Sequence, residues 1–322
     1  MNLKTNPFPL IFSQGGEVTR LACLEFFGLG DSHTAKDCLV ALIKRQRSDG
    51  AFPSQFDPDH WGMQETVRHA LLLLGVGLPP QGVNVGSAVN FILSHQRPDG
   101  GWCENRSLQL PPERTWLSTE WSITWLTADV VEFLHQVGMG ESAECQAAVR
   151  MLRATQNRHG GWPSLARDPD DGPDGASDPD ATAQIAFLMG ELFGEDDPVH
   201  FKGRQLFESY LDECARDVER GYRIRLRDGK KEALDVYGLT HLLLSWLLEP
   251  PRRIQRGYDA SDPRVKQMME ALIAVQGEDG GWRPFFADET SPLYTFLAVK
   301  VLVLTGMLAR EDLEADVRAY AI

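Results

Sequence analysis

Two aspartates stand two residues apart at the head of an apolar run, in Ser177-Asp178-Pro179-Asp180-Ala181-Thr182-Ala183. Carboxyls this close suit acid chemistry, because each alters how readily the other holds a proton. The same residues also suit a helix start, with Asp178 as N-cap, Pro179 at the first helical position and Asp180 in the favourable first turn. A second acid cluster, Asp168-Pro169-Asp170-Asp171, lies in a Pro/Gly/Asp-rich stretch with no apolar run behind it. That composition predicts a solvated loop, with divalent-metal binding as the sharper alternative. One basic stretch stands out from an acidic chain: Arg220, Arg223, Arg225, Arg227, Lys230 and Lys231. Its alternation from Tyr222 to Arg227 predicts a short hairpin with one exposed face, and grouped cations are also what a diphosphate requires.

The elements that must position these residues are announced by a recurring phrase. It reads QRSDGAF from Gln46, QRPDGGW from Gln96, QNRHGGW from Gln156 and QGEDGGW from Gln276. Successive Gln residues lie 50, 60 and 120 apart, so the last gap holds a degenerate copy, near Arg220 to Lys231, where Gly221-Tyr222 replaces Gly-Trp. Each phrase follows one apolar segment of helical period and precedes another, giving a unit of helix, Gly-turn, loop, helix. Outer helices are predicted over 35–46, 86–96, 144–156, 201–216, 264–276 and 311–320. Inner helices are predicted over 17–27, 64–74, 119–136, 180–193, 235–248 and 292–305. The inner set is the more apolar all round, as a helix buried on most sides should be. Two sets of six predict an all-α closed ring, its first inner helix pairing with the last outer one, which needs no polar caps.

Composition narrows the function. The chain has 322 residues and a net charge of -14, with no basic arm, so a nucleic-acid partner is disfavoured. A ring of equal repeats predicts one domain over 1–322. The five cysteines, Cys23, Cys38, Cys103, Cys145 and Cys214, form no CxxC pair and read as thiols of a reducing compartment. No apolar run approaches a membrane span of roughly 20 residues, and the N-terminal segment lacks a signal-peptide core. A cytoplasmic location is expected, with peripheral membrane contact through a surface patch compatible with it.

The phrase Q-x-x-D-G-G-W after an apolar helix resembles the QW repeat of the terpenoid cyclase and protein prenyltransferase superfamily, and the resemblance spans nearly the whole chain. It implies an α/α toroid of six helix pairs, closest to the single β-domain of class II terpene cyclases of the squalene-hopene cyclase kind. Protein prenyltransferases hold zinc with Asp-x-Cys and a later His. The comparable places here read Asp235-Val236-Tyr237 and Leu293-Tyr294-Thr295, so the resemblance implies no zinc. Class II cyclases carry D-x-D-D-T-A at the start of an inner helix. This chain keeps the first and middle acids and the Thr-Ala, with Ala181 at the last Asp. The resemblance implies that Asp180 is the proton donor and Asp178 its hydrogen-bonding or charge partner. Oxidosqualene cyclases, which keep only the middle acid, resemble the pattern too.

Such a reaction protonates an alkene or epoxide, so it needs a protonated carboxyl screened from water. It also needs aromatic walls, whose π faces stabilise cations. Trp61, Trp121, Tyr237, Tyr294 and Phe296 are the wall candidates, with Trp116 and Trp125 beside them. The basic stretch, with Arg223, Arg225, Arg227 and Lys230, resembles the part of prenyltransferases that holds the substrate's diphosphate. A linear isoprenoid, first of all a prenyl diphosphate, is the expected substrate, with no cofactor required and Mg²⁺ expected only alongside a diphosphate. Members usually join this toroid to a second helical domain, so a homodimer partner or a separate second-domain chain would cover the mouth of a lone toroid. Two other readings stay open: an accessory isoprenoid-binding subunit of the same fold, and a carbohydrate-active α/α toroid with opposed carboxylates.

Overall fold

A computed structural model describes residues 3–112, 114–166, 177–224, 231–233, 257–283 and 289–322. The described residues are helical, with short two-residue or three-residue strands between helices. They divide into two compact units, one of Met1–Leu39 with Glu208–Ile322 and one of Val40–Phe207.

The Val40–Phe207 unit carries three successive repeats. After α3 (His33–Arg45) come α4 (Met63–Gly75) and α5 (Val83–Ser94), then α6 (Thr124–Gln136) and α7 (Ala143–Ala154), then α8 (Pro179–Phe193) and the start of α9 (Pro198–Arg220). Helix α4 packs on α5 and α6, and α6 packs on α7 and α8. Two small antiparallel ribbons tie the loops to the inner helices: β1 (Phe52–Pro53) with β2 (Trp61–Gly62), and β3 (Ser122–Ile123) with β4 (Leu165–Ala166). A single bridge between Trp162 and Asp178 does the same before α8.

In the other unit, α1 (Phe8–Gln14) packs on α2 (Glu17–Phe26) and on α11 (Pro292–Leu304), which also packs on α2. Helices α10 (Pro263–Ala274) and α12 (Arg310–Arg318) complete it, with an antiparallel hairpin of β5 (Tyr222–Ile224) and β6 (Lys231–Ala233).

The recurring phrase works as a clamp of three parts. Each Gln amide donates to its own turn and to the start of the next repeat: Gln46 to Gly50 and Asn84, Gln96 to Gly100 and Glu144, Gln156 to Gly160 and Val199, at 2.8–2.9 Å. Each indole reaches back ten residues to the last turn of the preceding helix, Trp102 Nε1 to the Ile92 carbonyl, Trp162 to Leu152 and Trp282 to Leu272, at 2.6–2.8 Å. The third part reaches forward. The backbone N–H of Phe52, Trp102, Trp162 and Trp282 donates to the hydroxyl of Thr66, Thr127, Thr182 and Thr295 in the first turns of α4, α6, α8 and α11, at 3.0–3.2 Å. Gly100 shows why the turn needs glycine: its φ is +93°, and a Cβ there would lie 2.7 Å from the Ala147 carbonyl oxygen.

The predicted helices are present within a few residues at their ends, except 235–248, which lies outside the described residues. Three differences have local causes. Helix α6 starts at Thr124 rather than 119, because the Ser118 hydroxyl accepts the N–H groups of Glu120 and Trp121 in a turn and 122–123 pairs as β3. Helix α9 runs on to Arg220 before Gly221 ends it at φ +70°. Helix α1 was not expected from its seven residues. It stands where the fourth Gln sends its second bond, to the Thr5 carbonyl at 2.8 Å, so the clamp of the last repeat closes on the segment leading into α1.

Candidate active site

The Thr register aligns the inner helices residue by residue. Two positions before each Thr stand Gln64, Trp125, Asp180 and Leu293; two positions after stand Arg68, Asp129, Gln184 and Leu297. In α4, α6 and α8 these positions form one stripe. Trp125, Asp129, Asp180 and Gln184 are half-buried and Arg68 is exposed, while Val67, Leu126, Ala128, Val130, Ala181, Ala183 and Ile185 around them are buried.

Contacts stitch the stripe together across the helices. Gln184 Nε2 donates to Asp129 Oδ1 at 2.5 Å, from α8 to α6. The Arg68 guanidinium of α4 lies over the Trp125 ring of α6, 5.6 Å from its centroid, a cation–π contact. The Gln64 amide, oriented to satisfy its hydrogen bonds, accepts from Arg68. The wall thus offers a carboxyl at the head of α8, an aromatic face beside it on α6 and a second carboxyl one turn further along.

Asp178 and Asp180 meet at the head of α8, but with different duties. Asp178 is the N-cap: Oδ1 accepts from Ala181 N at 2.9 Å and Oδ2 from Ser164 Oγ at 2.5 Å, while its own N–H donates to the Trp162 carbonyl. Asp180 sits in the first turn and is half-buried.

The head of α4 solves the same capping problem differently. Its N-cap is Gly62, which has no side chain, and the Glu104 carboxylate accepts from Met63 N at 2.8 Å and Gln64 N at 3.1 Å instead. Glu104 is 1% exposed, and burial, with the Glu65 charge next, pushes its carboxyl up to about 7 against the pull of those two N–H groups. Burial raises Glu65 as well; its Oε1 accepts from Gln55 N at 3.3 Å and its buried Oε2 has no hydrogen-bond partner.

Other sequence candidates are spread out. Trp121 is 38% exposed just before β3, in the same unit as Asp180. Trp61 turns toward α5, with its ring on Phe91 and His95 at 5.2 and 4.8 Å. Tyr294 is half-buried and Phe296 packs edge-on against Phe26, both in the other unit. Arg223 lies on β5; its side chain, and Arg225, Arg227, Lys230, Tyr237, Asp235 and the 168–171 acids, fall outside the described residues. A cleft of about 790 Å³ beside the Gly280 turn, lined by Gln14, Gln276, Asp279 and Arg283 among others, contains none of the candidates. Among the described residues, no group of three or more His, Cys, Asp or Glu side chains gathers to hold a metal ion.

Sequence reasoning missed Arg68, Asp129, Gln184, Glu65 and Glu104. For Arg68, Asp129 and Gln184 the signal is the Thr, which in the four repeats lies 14, 25, 20 and 13 residues after the aromatic it catches. Unequal loops hide the register from any fixed spacing, and only the hydrogen bond reveals it.

The helix-pair repeats and their clamps define an all-α fold of the kind that type II terpene cyclases have. Residues 16–175 match the squalene-hopene cyclase C-terminal domain family, a match that ends just before Asp178. The type II terpene cyclase MstE from Scytonema has the same fold, with a TM-score of 0.56 at 14% identity over 90% of this chain and 88% of that one. A variant of it in complex with merosterolic acid A, its product, gives 0.56 at 17% identity over 90% and 87%. A protein from Actinoplanes gives 0.56 at 13% identity over 89% and 90%. No curated protein matches the chain by sequence.

Proposed function

We propose that this protein is a proton-initiated terpene cyclase, with Asp180 as the general acid and a linear isoprenoid, first of all a prenyl diphosphate, as substrate. The observation that carries the reading is the stripe on α4, α6 and α8, where the half-buried Asp180 stands in the same register position as the Trp125 ring. An isoprenoid laid along that wall would meet a carboxyl where an alkene can be protonated and a π face where the resulting cation is stabilised. Asp178, held by Ala181 N and Ser164 Oγ, fixes the turn that presents Asp180. In support of the substrate class, a variant of the Scytonema cyclase, with a TM-score of 0.53, holds geranylgeranyl dihydroxybenzoate as its substrate.

In the same reading, Arg223, Arg225, Arg227 and Lys230 hold the diphosphate, Trp121 adds an aromatic face in the unit of Asp180, and Mg²⁺ enters only as a counterion of a diphosphate. Residues 1–322 act as one domain in the cytoplasm, with a second copy or a separate chain excluding water from the acid. No described helix is long and apolar enough to cross a membrane.

The test incubates the protein and Asp180→Asn with farnesyl, geranylgeranyl and geranylfarnesyl diphosphates, geranylgeranyl dihydroxybenzoate and squalene, with and without Mg²⁺. Mass spectrometry should find a cyclised isomer of unchanged mass, reduced about 10²–10⁴-fold in the variant. Equal turnover by Asp180→Asn would remove Asp180 from the role. Binding of an isoprenoid without turnover would make the protein an accessory subunit.

A further inference from the structure

A proton-initiated cyclisation that yields an isomer must return a proton at its end, and the wall that holds Asp180 also holds a carboxyl placed to receive it. Gln184 stands one helical turn beyond Asp180 on α8, about 6 Å along the axis. Its amide donates to Asp129 Oδ1 at 2.5 Å, which brings the carboxyl of α6 to that same level of the wall. Asp129 is half-buried, and Trp125 lies one turn before it on α6, its ring under the Arg68 guanidinium. Acid, aromatic face and second carboxyl therefore follow one another within a turn of helix. The neighbouring acid Glu132 is half-buried too, but lies a turn further from Trp125, where it accepts from the exposed Gln136 amide at 3.1 Å.

We infer that Asp129 is the catalytic base that ends the reaction, an assignment that rests on the cyclase reading. The Asp180 carboxyl gives its proton to the terminal alkene, whose π electrons form the new C–H bond and leave a tertiary cation. Neighbouring π pairs close the rings and move the cation along the wall. A carboxylate oxygen of Asp129 then takes a proton from the carbon next to the last cation, and that C–H pair becomes the product's new double bond. Asp129 passes its proton to water and Asp180 regains one from water, so substrate and product have the same composition. Gln184 is a positioning residue, which holds Asp129 toward α8. Without the base, water adds to the last cation and an alcohol leaves instead.

The test compares the wild-type protein with Asp129→Asn, Asp129→Glu, Glu132→Gln and Asp180→Asn on the isoprenoid that the wild type turns over. Products are read by mass spectrometry in ¹⁸O-labelled water, and folding by thermal melts. Asp129→Asn should consume substrate within about tenfold of the wild type, with the alkene isomer largely replaced by a product that carries one labelled water. Asp129→Glu should restore the alkene and Glu132→Gln should leave it unchanged. An unaltered alkene from a folded Asp129→Asn overturns the assignment while a dead Asp180→Asn keeps the cyclase reading. A wild-type product that already carries water, a switch caused by Glu132→Gln, or loss of all consumption in Asp129→Asn overturns it as well. Absence of turnover by the wild type removes the reading and the assignment together.

Discussion

Glu104 makes the stability of this protein fall as pH rises from 4.5 to about 7. Its carboxyl is 1% exposed and moves from an ordinary 4.5 to about 7 in the folded chain, mainly by burial and secondarily by the charge of Glu65. Between those two values the native protein holds a proton that the unfolded chain has released. Stability therefore falls with rising pH, by about 1.4 kcal/mol for each pH unit at full effect. The whole window is worth about 3 kcal/mol, present in full below pH 4.5 and lost above pH 7. Glu65 is raised in the same direction and adds to the slope. Asp57, Asp197, Asp259 and Asp262 are lowered below 3.8 and titrate outside the window. The perturbation is Glu104→Gln, which removes the titration but keeps one acceptor for Met63 N or Gln64 N. The assay is urea unfolding of both proteins at pH 5 and pH 8 at constant ionic strength, with the difference between the two pH values compared. The variant keeps the rise of Glu65, which comes from its own burial, and should lose the part of the slope that Glu104 supplies. Equal pH dependence in the two proteins, or a wild type that gains stability relative to the variant between pH 5 and 8, would refute the reasoning.

Two further predictions address the clamp and the cap. Gly100→Ala should cost clearly more than Gly77→Ala in chemical unfolding: both have positive φ, +93° and +86°, but only at Gly100 does a Cβ meet a carbonyl, 2.7 Å away. The Gly77 change should cost about 1–2 kcal/mol from the left-handed backbone alone. Asp178→Ala should cost about 0.5–2 kcal/mol by loss of the N-cap. Asp178→Asn, which keeps an acceptor for Ala181 N, should stay within about 0.5 kcal/mol of the wild type in the same melts.

The repeats made the architecture legible because the clamp is built from side chains that nothing else in the chain uses together. A Gln followed by Gly-Gly-Trp has to bond its own turn, the next repeat and the helix behind it, so the phrase carries the positions of outer helices with it. The apolar runs behind each loop carried the inner ones. What stayed hidden depends on loops of unequal length. Ser118 turns the chain just where a helical period begins, so α6 starts later than its sequence suggests. Glu104 caps a helix that begins 41 residues before it, and no local pattern announces an acid that serves a distant N-terminus. Asp129 reads as one polar residue in an apolar helix until Gln184 shows which face it occupies.

The register also separates what the fold needs at the head of α8 from what it does not. The fold needs a cap, and Asp178 provides it as Glu104 does for α4 and the Ser291 side chain does for α11. It needs a hydroxyl to catch the indole-bearing turn, and Thr182 provides that as Thr66, Thr127 and Thr295 do. The position of Asp180 is under neither demand. Its counterparts are an amide, an indole and an aliphatic chain in Gln64, Trp125 and Leu293, and helices with each of them form. A favourable first-turn charge is worth only about 0.3–1 kcal/mol, and the three helices compared with α8 in this register do without a carboxylate at that place. An acid where neither cap nor clamp calls for one, half-buried on a stripe ringed by buried residues, suits the general-acid role proposed for it. That is why Asp180, rather than the capping Asp178, is the residue whose substitution should cut turnover sharply and leave the fold intact.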